Sequence, residues 1–434
     1  MALDELVKVQ LDTLELRLRD AFYRLKTSSP YTLIEATHIS NKYNLLWRSQ
    51  EAKATTLSTL TYNKDRASMT LGLPATVNER LIYQSTLRSH YQPGKAQEAI
   101  FTNVTTIPGA GIKKRGGYFD RDSGTFFETD ADNISTVVRS SLGGISIGNR
   151  VDDAKIRGDS WFDPINGNGR SGKNLDQANV QIPFVALEWL GAGSVIFGFF
   201  LDAEPVICDI RNNANVIDSV YMGNPNLPIR YELENDGTGG VSSLEVICAT
   251  VIAWGGLEQS GVPVVADRYR TPFTTANSAN LFPVMSMRIK PGEDSAVVFP
   301  QRFNLFTDAE GDPFYYKFVI NPTIVAGGES WVDIPDTSMQ YDISRDNTKL
   351  ITPASGFTLT SGYVPGGATA QGQAVSGSAA GFQLSSFFSI GSGINYYNAA
   401  NTPIDGTPDE LVLGVSPIPT GVLDMYASIT LREF

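Results

Sequence analysis

The sequence has few of the residues that catalysis and metal binding require. Of its 434 residues, two are cysteine and two are histidine. Neither cysteine has a CxxC partner, so no Cys/His zinc site can be assembled. His38 and His90 belong to no recognisable triad, and no GxSxG, HExxH or GxxxxGK[ST] motif occurs. We interpret both as ordinary surface or turn histidines and predict no enzyme activity, no metal and no cofactor.

Basic charge and long apolar runs are also scarce. Charged residues make up 18% of the chain, its net charge is −12, and no five Lys or Arg residues are consecutive. Such an acidic surface repels phosphate, so we predict no nucleic-acid partner. The most apolar stretch, residues 190–201, is shorter than the ~20 residues that span a bilayer. The N-terminus is acidic and unlike a signal peptide, so we expect a soluble protein without membrane insertion.

The two cysteines, Cys208 and Cys248, each lie in an apolar run. They fit either two buried free thiols in neighbouring strands or a disulfide. Secreted proteins of this size normally use more cysteine, which favours the thiols.

Glycine and proline are abundant, with 40 and 23 residues, and hydrophobic residues reach 42%. This composition is typical of a mainly β protein with many turns. Residues 117–128 predict a tight hairpin, and 182–190, 194–202 and 206–210 predict a three-stranded meander. The middle strand is apolar on both faces and should lie between two layers. No βαβ alternation appears, so a two-layer β-sandwich explains the region best.

Residues 3–26 predict one α-helix, with a stripe formed by Leu11, Leu14, Leu18 and Leu25. Three heptads are marginal as a free coiled coil, because short helices depend on packing partners. The stripe is therefore either an oligomerisation surface or part of an arm laid on a neighbouring protein or on the chain's own sheet.

Polar turn residues at 258–263 mark a boundary. We predict an N-terminal helical arm over residues 1–50, a β-sandwich over 51–260 and a second β-rich domain over 261–434. The second domain should contain strands near residues 281–290, 303–306, 314–321 and 330–334 and a C-terminal strand at 421–431. Residues 352–381 are rich in Gly, Ser, Ala and Thr and predict an irregular loop.

Trp161 lies in a polar loop and is the one candidate for glycan contact, because sandwich domains can stack exposed aromatic rings on sugars. The alternative is a ring that closes the end of the sandwich. Asp163, Asn166 and Asn168 resemble a Ca²⁺ loop in composition, as does the cluster Asp308, Glu310 and Asp312. Both match ordinary turns as well, and we predict no bound metal.

Several segments resemble virion-associated structural proteins of tailed bacteriophages. They are Tyr91-Gln-Pro-Gly-Lys95, Trp189-Leu-Gly-Ala-Gly193, Phe197-Gly-Phe199, residues 221–232 with the sequence YMGNPNLPIRYE, residues 242–248 with the sequence SSLEVIC, and residues 429–434. The resemblance is strong over residues 85–260 and looser over the last 150. It implies a lectin-like β-sandwich and a particle component, and it carries over no catalytic residue.

We therefore expect a structural protein of the virion, assembled in the host cytoplasm, that self-associates and contacts other virion structural proteins. The tail, baseplate or fibre region is its first expected location, and the capsid surface, as a decoration protein, is the second. One alternative is an adhesin that binds a host surface glycan. A third hypothesis, a glycan-cleaving enzyme, would need two converging carboxylates.

Overall fold

The computed structural model describes residues 19–21, 24–39, 47–51, 57–140, 152–256, 261–293, 296–307, 313–325, 328–364, 408–418 and 421–434. Within these ranges the chain forms 27 β-strands, one 3-10 helix at Gly158–Ser160 and no α-helix. The predicted mainly β class is thus confirmed. No helix in the described ranges has the length and apolar character needed to cross a membrane. Contacts divide the chain into one unit at Met1–Glu258 and another at Gln259–Phe434.

The first unit contains fifteen strands. They are β1 (Pro30–Thr37), β2 (Trp47–Glu51), β3 (Thr59–Asn63), β4 (Ser68–Leu73), β5 (Asn78–Ser85), β6 (Gln97–Val104), β7 (Ile112–Phe119), β8 (Gly124–Thr129), β9 (Ile134–Ser140), β10 (Asp152–Arg157), β11 (Pro183–Leu187), β12 (Val195–Leu201), β13 (Glu204–Arg211), β14 (Ile229–Asp236) and β15 (Ser242–Trp254).

These strands form two antiparallel sheets. Sheet I has the order β13-β12-β11-β6-β15-β4-β3, with β1 also paired to β15. Sheet II has the order β10-β9-β8-β7-β14-β5-β2. The predicted hairpin is confirmed as β7–β8 and the predicted meander as β11–β12–β13. Asp202 and Ala203 turn the chain between β12 and β13 with φ of 52° and 63°, the left-handed values that two-residue hairpins favour.

The two sheets pack face to face through aromatic side chains. Phe127 of β8 lies 5.6 Å from Phe197 and 4.8 Å from Phe199 of β12, between ring centroids. Phe101 of β6 lies 6.0 Å from Tyr231 of β14. Since these contacts join sheet I to sheet II, the predicted two-layer sandwich is confirmed.

Strand β12 buries both of its faces, as its apolar sequence predicts. Phe197 and Phe199 point into the sandwich and are 0% and 2% exposed. Ile196, on the opposite face, is 7% exposed and packs with Phe184 and with Ala21 of the N-terminal segment. The second covering layer is therefore a short piece of N-terminal chain rather than another sheet.

That N-terminal segment is not helical where the structure describes it, so the predicted helix is wrong at this end. Arg19 and Leu25 form an antiparallel β-bridge, and Asp20 N donates to Arg24 O over 2.8 Å. Leu25 is 60% exposed, so it does not extend a buried stripe. Leu11, Leu14 and Leu18 lie outside the described residues, and their role stays a prediction. Strand β1 and all but the last residue of β2 fall within the predicted arm, but they belong to sheets I and II.

The second unit contains twelve strands. They are β16 (Val262–Asp267), β17 (Phe273–Thr274), β18 (Phe282–Ile289), β19 (Val298–Thr307), β20 (Phe314–Ile320), β21 (Ile324–Val325), β22 (Val332–Asp333), β23 (Met339–Asp342), β24 (Leu350–Ile351), β25 (Phe357–Val364), β26 (Glu410–Pro417) and β27 (Asp424–Glu433).

Strand β27 pairs with β16, β17 and β19 in sheet III. Sheet IV has the order β22-β23-β18-β26-β20-β25, and β21 pairs with β24. Phe303 of β19 lies 4.7 Å from Phe318 and 5.2 Å from Tyr316 of β20, between ring centroids, which joins sheets III and IV around a second core. The predicted C-terminal strand is confirmed as β27.

The predicted loop over residues 352–381 is wrong in its first part, because Phe357–Val364 forms β25. This strand pairs with β20 from Phe314 to Ile320. Its Phe, Thr, Tyr and Val residues have high β-propensity, which the Gly and Ser content of the wider segment obscured. Residues 365–381 lie outside the described part of the chain.

We expect Phe303→Ala to lower the free energy of unfolding of the second unit by about 3–5 kcal/mol, because it empties a fully buried ring site. Urea unfolding followed by circular dichroism measures the change. Asn304→Ala, at the exposed next position of β19, is the matched control. Equal stability of the two variants would contradict this account of the core.

Candidate functional site

Trp161, the predicted glycan-contact residue, follows the 3-10 helix at the end of β10. Its side chain is 5% exposed, and its ring meets Phe127 edge-on at 6.2 Å between centroids. The indole Nε1 donates to Ile156 O over 3.1 Å. A ring held in this way offers no face to a sugar, so these contacts fit the interpretation of a ring that closes the end of the sandwich.

The loop after Trp161 uses its carboxylate for its own backbone. Asp163 is 2% exposed and accepts hydrogen bonds from Ile165 N at 3.0 Å and Ser171 N at 2.7 Å. Asn166 Oδ1 accepts from Asn168 N over 3.0 Å. Across the described ranges, no three His, Cys, Asp or Glu side chains group as metal ligands. The second acidic cluster, residues 308–312, lies outside these ranges.

Both histidines are buried, so their predicted surface position is wrong. His38 is 1% exposed, with Nδ1 at 2.6 Å from Ile247 O and Nε2 at 2.8 Å from Tyr83 Oη. Burial lowers the pKa of His38. Burial, together with the charge of Lys95, lowers the pKa of His90 to about 4. Both rings are therefore neutral at pH 7 and serve as core residues.

The cysteines are free thiols. Cys208 lies on β13 and Cys248 on β15, and β12, β11 and β6 separate these strands in sheet I. The interpretation as free thiols is confirmed, but only Cys208 is fully buried, Cys248 is partly buried, and their placement in neighbouring strands is wrong. Adjacent strands are about 4.8 Å apart, so the two residues are too distant for a disulfide.

Three segments that resemble the virion proteins meet at one end of the first sandwich. Tyr91 N donates to Asn226 Oδ1 over 2.9 Å, and Leu190 N donates to Tyr91 Oη over 3.1 Å. The rings of Tyr91 and Trp189 meet edge-on at 5.9 Å, and Trp189 Nε1 donates to Met222 O over 2.8 Å. These contacts join residues 91–95, 189–193 and 221–232, and we call this group the end cluster.

Tyr118 of β7 ties the end cluster to sheet II. Its hydroxyl lies 2.6 Å from Pro225 O and 3.2 Å from Gln97 Oε1, accepts from Leu227 N at 3.3 Å, and contacts Ser89 Oγ. Burial raises the pKa of Tyr118 to about 12. The phenol is thus neutral and acts as a structural hydrogen-bonding centre.

An N-terminal strap, defined as residues 19–21 and 24–29, crosses the outer face of sheet I beside the end cluster. Arg24 Nη2 lies 2.6 Å from Glu188 Oε2 and 2.7 Å from Asp20 Oδ2, and Arg24 Nη1 donates to Gly94 O over 3.0 Å. Lys26 Nζ lies 3.4 Å from Glu98 Oε2 and 4.6 Å from the centre of the Trp254 ring. Two cations therefore fix the strap to this face.

A cavity of about 280 Å³ lies between the strap and sheet I. Its walls are mostly apolar, with charged side chains at the strap. The lining residues that define it are Ala21, Lys26, Glu98, Phe184, Ile196 and Trp254.

Glu188 is the most electrostatically perturbed carboxylate of the region. It is 0% exposed, and no described group forms a hydrogen bond with its Oε1. Burial raises the pKa of Glu188 to about 7; Arg24 opposes this shift and Asp20 adds to it. A carboxylate with such a pKa can serve as a general acid or base. Here, however, Glu188 is enclosed and neutralised by Arg24, so the arrangement holds the strap in place.

The outer face of sheet II carries an ion-pair network rather than a pair of catalytic acids. Arg115 is 4% exposed and contacts Glu128 at 2.7 Å, Glu232 at 3.0 Å and Glu234 at 2.6 Å. Burial raises the pKa of Glu128 and Glu234, but Arg115, joined at Glu128 by Lys155, outweighs burial, and the net pKa of both is lowered. Both carboxylates are therefore ionised and engaged at pH 7.

Sequence reasoning missed Glu188, Asp20 and Arg24. The predicted helix over residues 3–26 includes Asp20 and Arg24, and nothing in its periodicity indicates that Arg24 pairs with a distant glutamate. Glu188 directly precedes Trp189, the first residue of a segment that carries the resemblance, and this position is the signal that could have found it.

No protein-family model matches the sequence, and no curated protein matches it. Among solved structures, the chain is similar to the carbohydrate recognition domain of Emp47p, with 8% identity and a TM-score of 0.31 over 52% of this chain and 97% of that chain. It is also similar to an endo-β-1,4-glucuronan lyase from the fungus Trichoderma reesei, with 9% identity and a TM-score of 0.34 over 51% of this chain and 95% of that chain. A legume lectin-like domain from Entamoeba histolytica has 9% identity and a TM-score of 0.30 over 52% of this chain and 98% of that chain. TM-scores of this size support no conclusion about function.

We expect Trp161→Ala to lower the free energy of unfolding by about 3–5 kcal/mol, because it removes a buried ring that packs on Phe127. Phe162→Ala is the control, since Phe162 is 39% exposed and should cost under about 1 kcal/mol. Urea unfolding monitored by circular dichroism measures both. A Trp161→Ala variant as stable as the wild type would show that the ring does not close the sandwich.

Glu188→Gln should change how stability depends on pH. The pKa of Glu188 in the folded state, about 7, lies above its ordinary value of 4.5, so the folded chain binds more protons between these values. As pH rises from 4.5 to 8, the wild type should lose about 1–3 kcal/mol of unfolding free energy relative to Glu188→Gln.

Urea unfolding of both proteins at closely spaced pH values measures this difference, and the other titrating groups cancel in the comparison. Parallel stability curves would contradict the raised pKa.

Proposed function

We propose that this chain is a structural component of a tailed-phage virion. It self-associates and docks to neighbouring virion proteins in the tail, baseplate or fibre region. Decoration of the capsid surface is the alternative location. In this proposal the first sandwich is the lectin-like domain that the resemblance implies, and the chain acts by shape and docking rather than by catalysis.

The end cluster carries the proposal. Residues 91–95, 189–193 and 221–232 are far apart in sequence, yet their side chains and backbone hydrogen-bond to one another. Three of the six segments that resemble the phage proteins therefore build one end of the sandwich. Segments that resemble the phage proteins and also contact each other support a shared architecture more strongly than isolated matches would.

The ionisable groups near the end cluster support a docking role over a chemical one. Glu188 forms an ion pair with Arg24, and Arg115 forms ion pairs with three glutamates. The hydroxyl of Tyr118 is engaged in hydrogen bonds with the backbone of Pro225 and Leu227. These groups hold segments of the chain together, which is what a building block of a particle requires.

The strap supports the proposed mode of docking. Arg24 and Lys26 hold a short N-terminal segment across sheet I through Glu188 and Glu98. We propose that the N-terminal part of the chain also forms the contacts with neighbouring subunits. The host-glycan alternative stays a proposal without an assigned contact residue, because the ring of Trp161 is buried.

Particles that carry this chain should contain it in many copies. Quantitative mass spectrometry of gradient-purified particles measures the copy number against a known capsid protein. The double variant Arg24→Ala with Lys26→Ala, supplied in place of the wild type, should reduce incorporation severalfold because the strap loses both anchors.

Arg121→Ala is the matched control, since Arg121 is exposed and pairs with the adjacent Asp122. Its incorporation should equal that of the wild type. Absence of the chain's peptides from purified particles would contradict the virion proposal. Incorporation of the double variant at the wild-type level would contradict a role of the strap in docking.

A further inference from the structure

The loop that follows Trp161 contains two Asn-Gly pairs, Asn166-Gly167 and Asn168-Gly169. No other asparagine in the 434 residues is followed by glycine. In such a pair the glycine nitrogen can attack the side-chain carbonyl carbon of the asparagine, because glycine has no Cβ to hinder the approach. Both asparagines are exposed to solvent. Since the two pairs contain the same reacting groups, hydrogen bonding in the folded loop decides which of them reacts.

The fold restrains the first pair. Gly167 N donates to Lys173 O over 2.9 Å, and Asn166 forms an antiparallel β-bridge with Asn174. Asn166 Oδ1 accepts from Asn168 N over 3.0 Å, which fixes the side-chain amide. Attack of the Gly167 nitrogen on Asn166 Cγ requires that these hydrogen bonds break first. The loop therefore protects Asn166.

The second pair has no such restraint. Within the described ranges, the side-chain amide of Asn168 has no hydrogen-bond partner, and no group accepts a hydrogen bond from Gly169 N. Glycine is nevertheless required at position 169, because a Cβ there would overlap Asp163 Oδ1. That carboxylate accepts the hydrogen bonds from Ile165 N and Ser171 N that shape the loop. The loop thus needs a glycine directly after an asparagine that nothing restrains.

We propose that Asn168 is a site of spontaneous deamidation and that its neighbour Asn166 is protected by the fold. The backbone nitrogen of Gly169 loses its proton to solvent and attacks Cγ of Asn168. The new N–Cγ bond closes a succinimide ring, and the side-chain nitrogen takes up a proton and leaves as ammonia.

Water then opens the ring by adding its hydroxyl group to one of the two ring carbonyl carbons and its proton to the ring nitrogen. Attack at Cγ yields aspartate at position 168, and attack at the main-chain carbonyl carbon yields isoaspartate. Either product adds a negative charge to the loop, and isoaspartate also lengthens the main chain by one carbon. The reaction consumes only water, and the inference does not depend on the virion proposal.

The folded full-length protein, incubated at mildly alkaline pH and then digested briefly with trypsin, provides the test. Cleavage after Arg157 and Arg170 releases one peptide that contains both asparagines. Fragmentation mass spectrometry assigns the converted position and distinguishes aspartate from isoaspartate. Asn168 should convert about fivefold faster than Asn166, because a backbone hydrogen bond of ordinary strength must break before Gly167 N can attack.

The same incubation in concentrated urea is the control, because unfolding frees both glycine nitrogens. The ratio of the two rates should then fall toward one. Asn168→Gln, which lengthens the side chain and keeps the backbone donor to Asn166 Oδ1, should abolish conversion at position 168 and leave Asn166 slow. Equal rates at the two positions of the folded protein would overturn the proposal. So would faster conversion of Asn166, no conversion of Asn168, or an unchanged ratio in urea.

Discussion

The architecture of the first unit depends on covering both faces of β12. One face packs against sheet II through Phe197 and Phe199, and the other meets the strap through Ile196. Burying a large apolar side chain contributes about 1.5–3 kcal/mol, so an uncovered outer face would forfeit several such contributions. The strap and the cavity beside it follow from this requirement.

The ion pair between Arg24 and Glu188 sets where the strap lies rather than how strongly it is held. Burying the charge of Glu188 costs several kcal/mol, and the attraction of Arg24, whose side chain stays half exposed, offsets only part of this cost. The ion pair fixes the position of the strap, because Glu188 is buried at one place on sheet I and the guanidinium of Arg24 is its counter-ion. Apolar contacts at Ala21 stabilise the packing of the strap on sheet I. The contacts of Arg24 with Gly94 O and Asp20 fix the conformation of the strap.

Local pattern was sufficient to predict the strands and insufficient to predict the strap. The hairpin β7–β8 and the meander β11–β13 follow from alternation and turn residues that act over a few positions. The stripe through Leu18 and Leu25 has helical periodicity, yet Arg24 finds its partner 164 residues away at Glu188. Tertiary contacts of that kind override a marginal helix and leave no trace in a short window. Strand β25 was missed because the Gly and Ser content of the wider segment hid eight residues rich in Phe, Thr, Tyr and Val.

The candidate site was less predictable than the fold. The choice between an exposed and a buried ring at Trp161 depends on Phe127, more than thirty residues earlier, and no local signal decides it. His38 and His90 occur in polar surroundings in the sequence but are buried by distant strands and loops. The resemblance includes the segments at 91–95, 189–193 and 221–232, but it does not indicate that they touch. Contact between distant segments is a property of topology, which a single sequence does not encode in any local pattern.

The pairing of β1 with β15 has a consequence for synthesis on the ribosome. Pro30 pairs with Trp254, and Lys26 contacts the ring of the same tryptophan. Strand β1 and the strap must therefore wait until more than two hundred further residues have been translated, roughly 10 to 45 s at about 5–20 residues per second. During that interval the partners of Ile34 and Ala21 are absent or incomplete. The nascent chain is then open to chaperones and to premature association, and its first unit closes only when its last strand emerges.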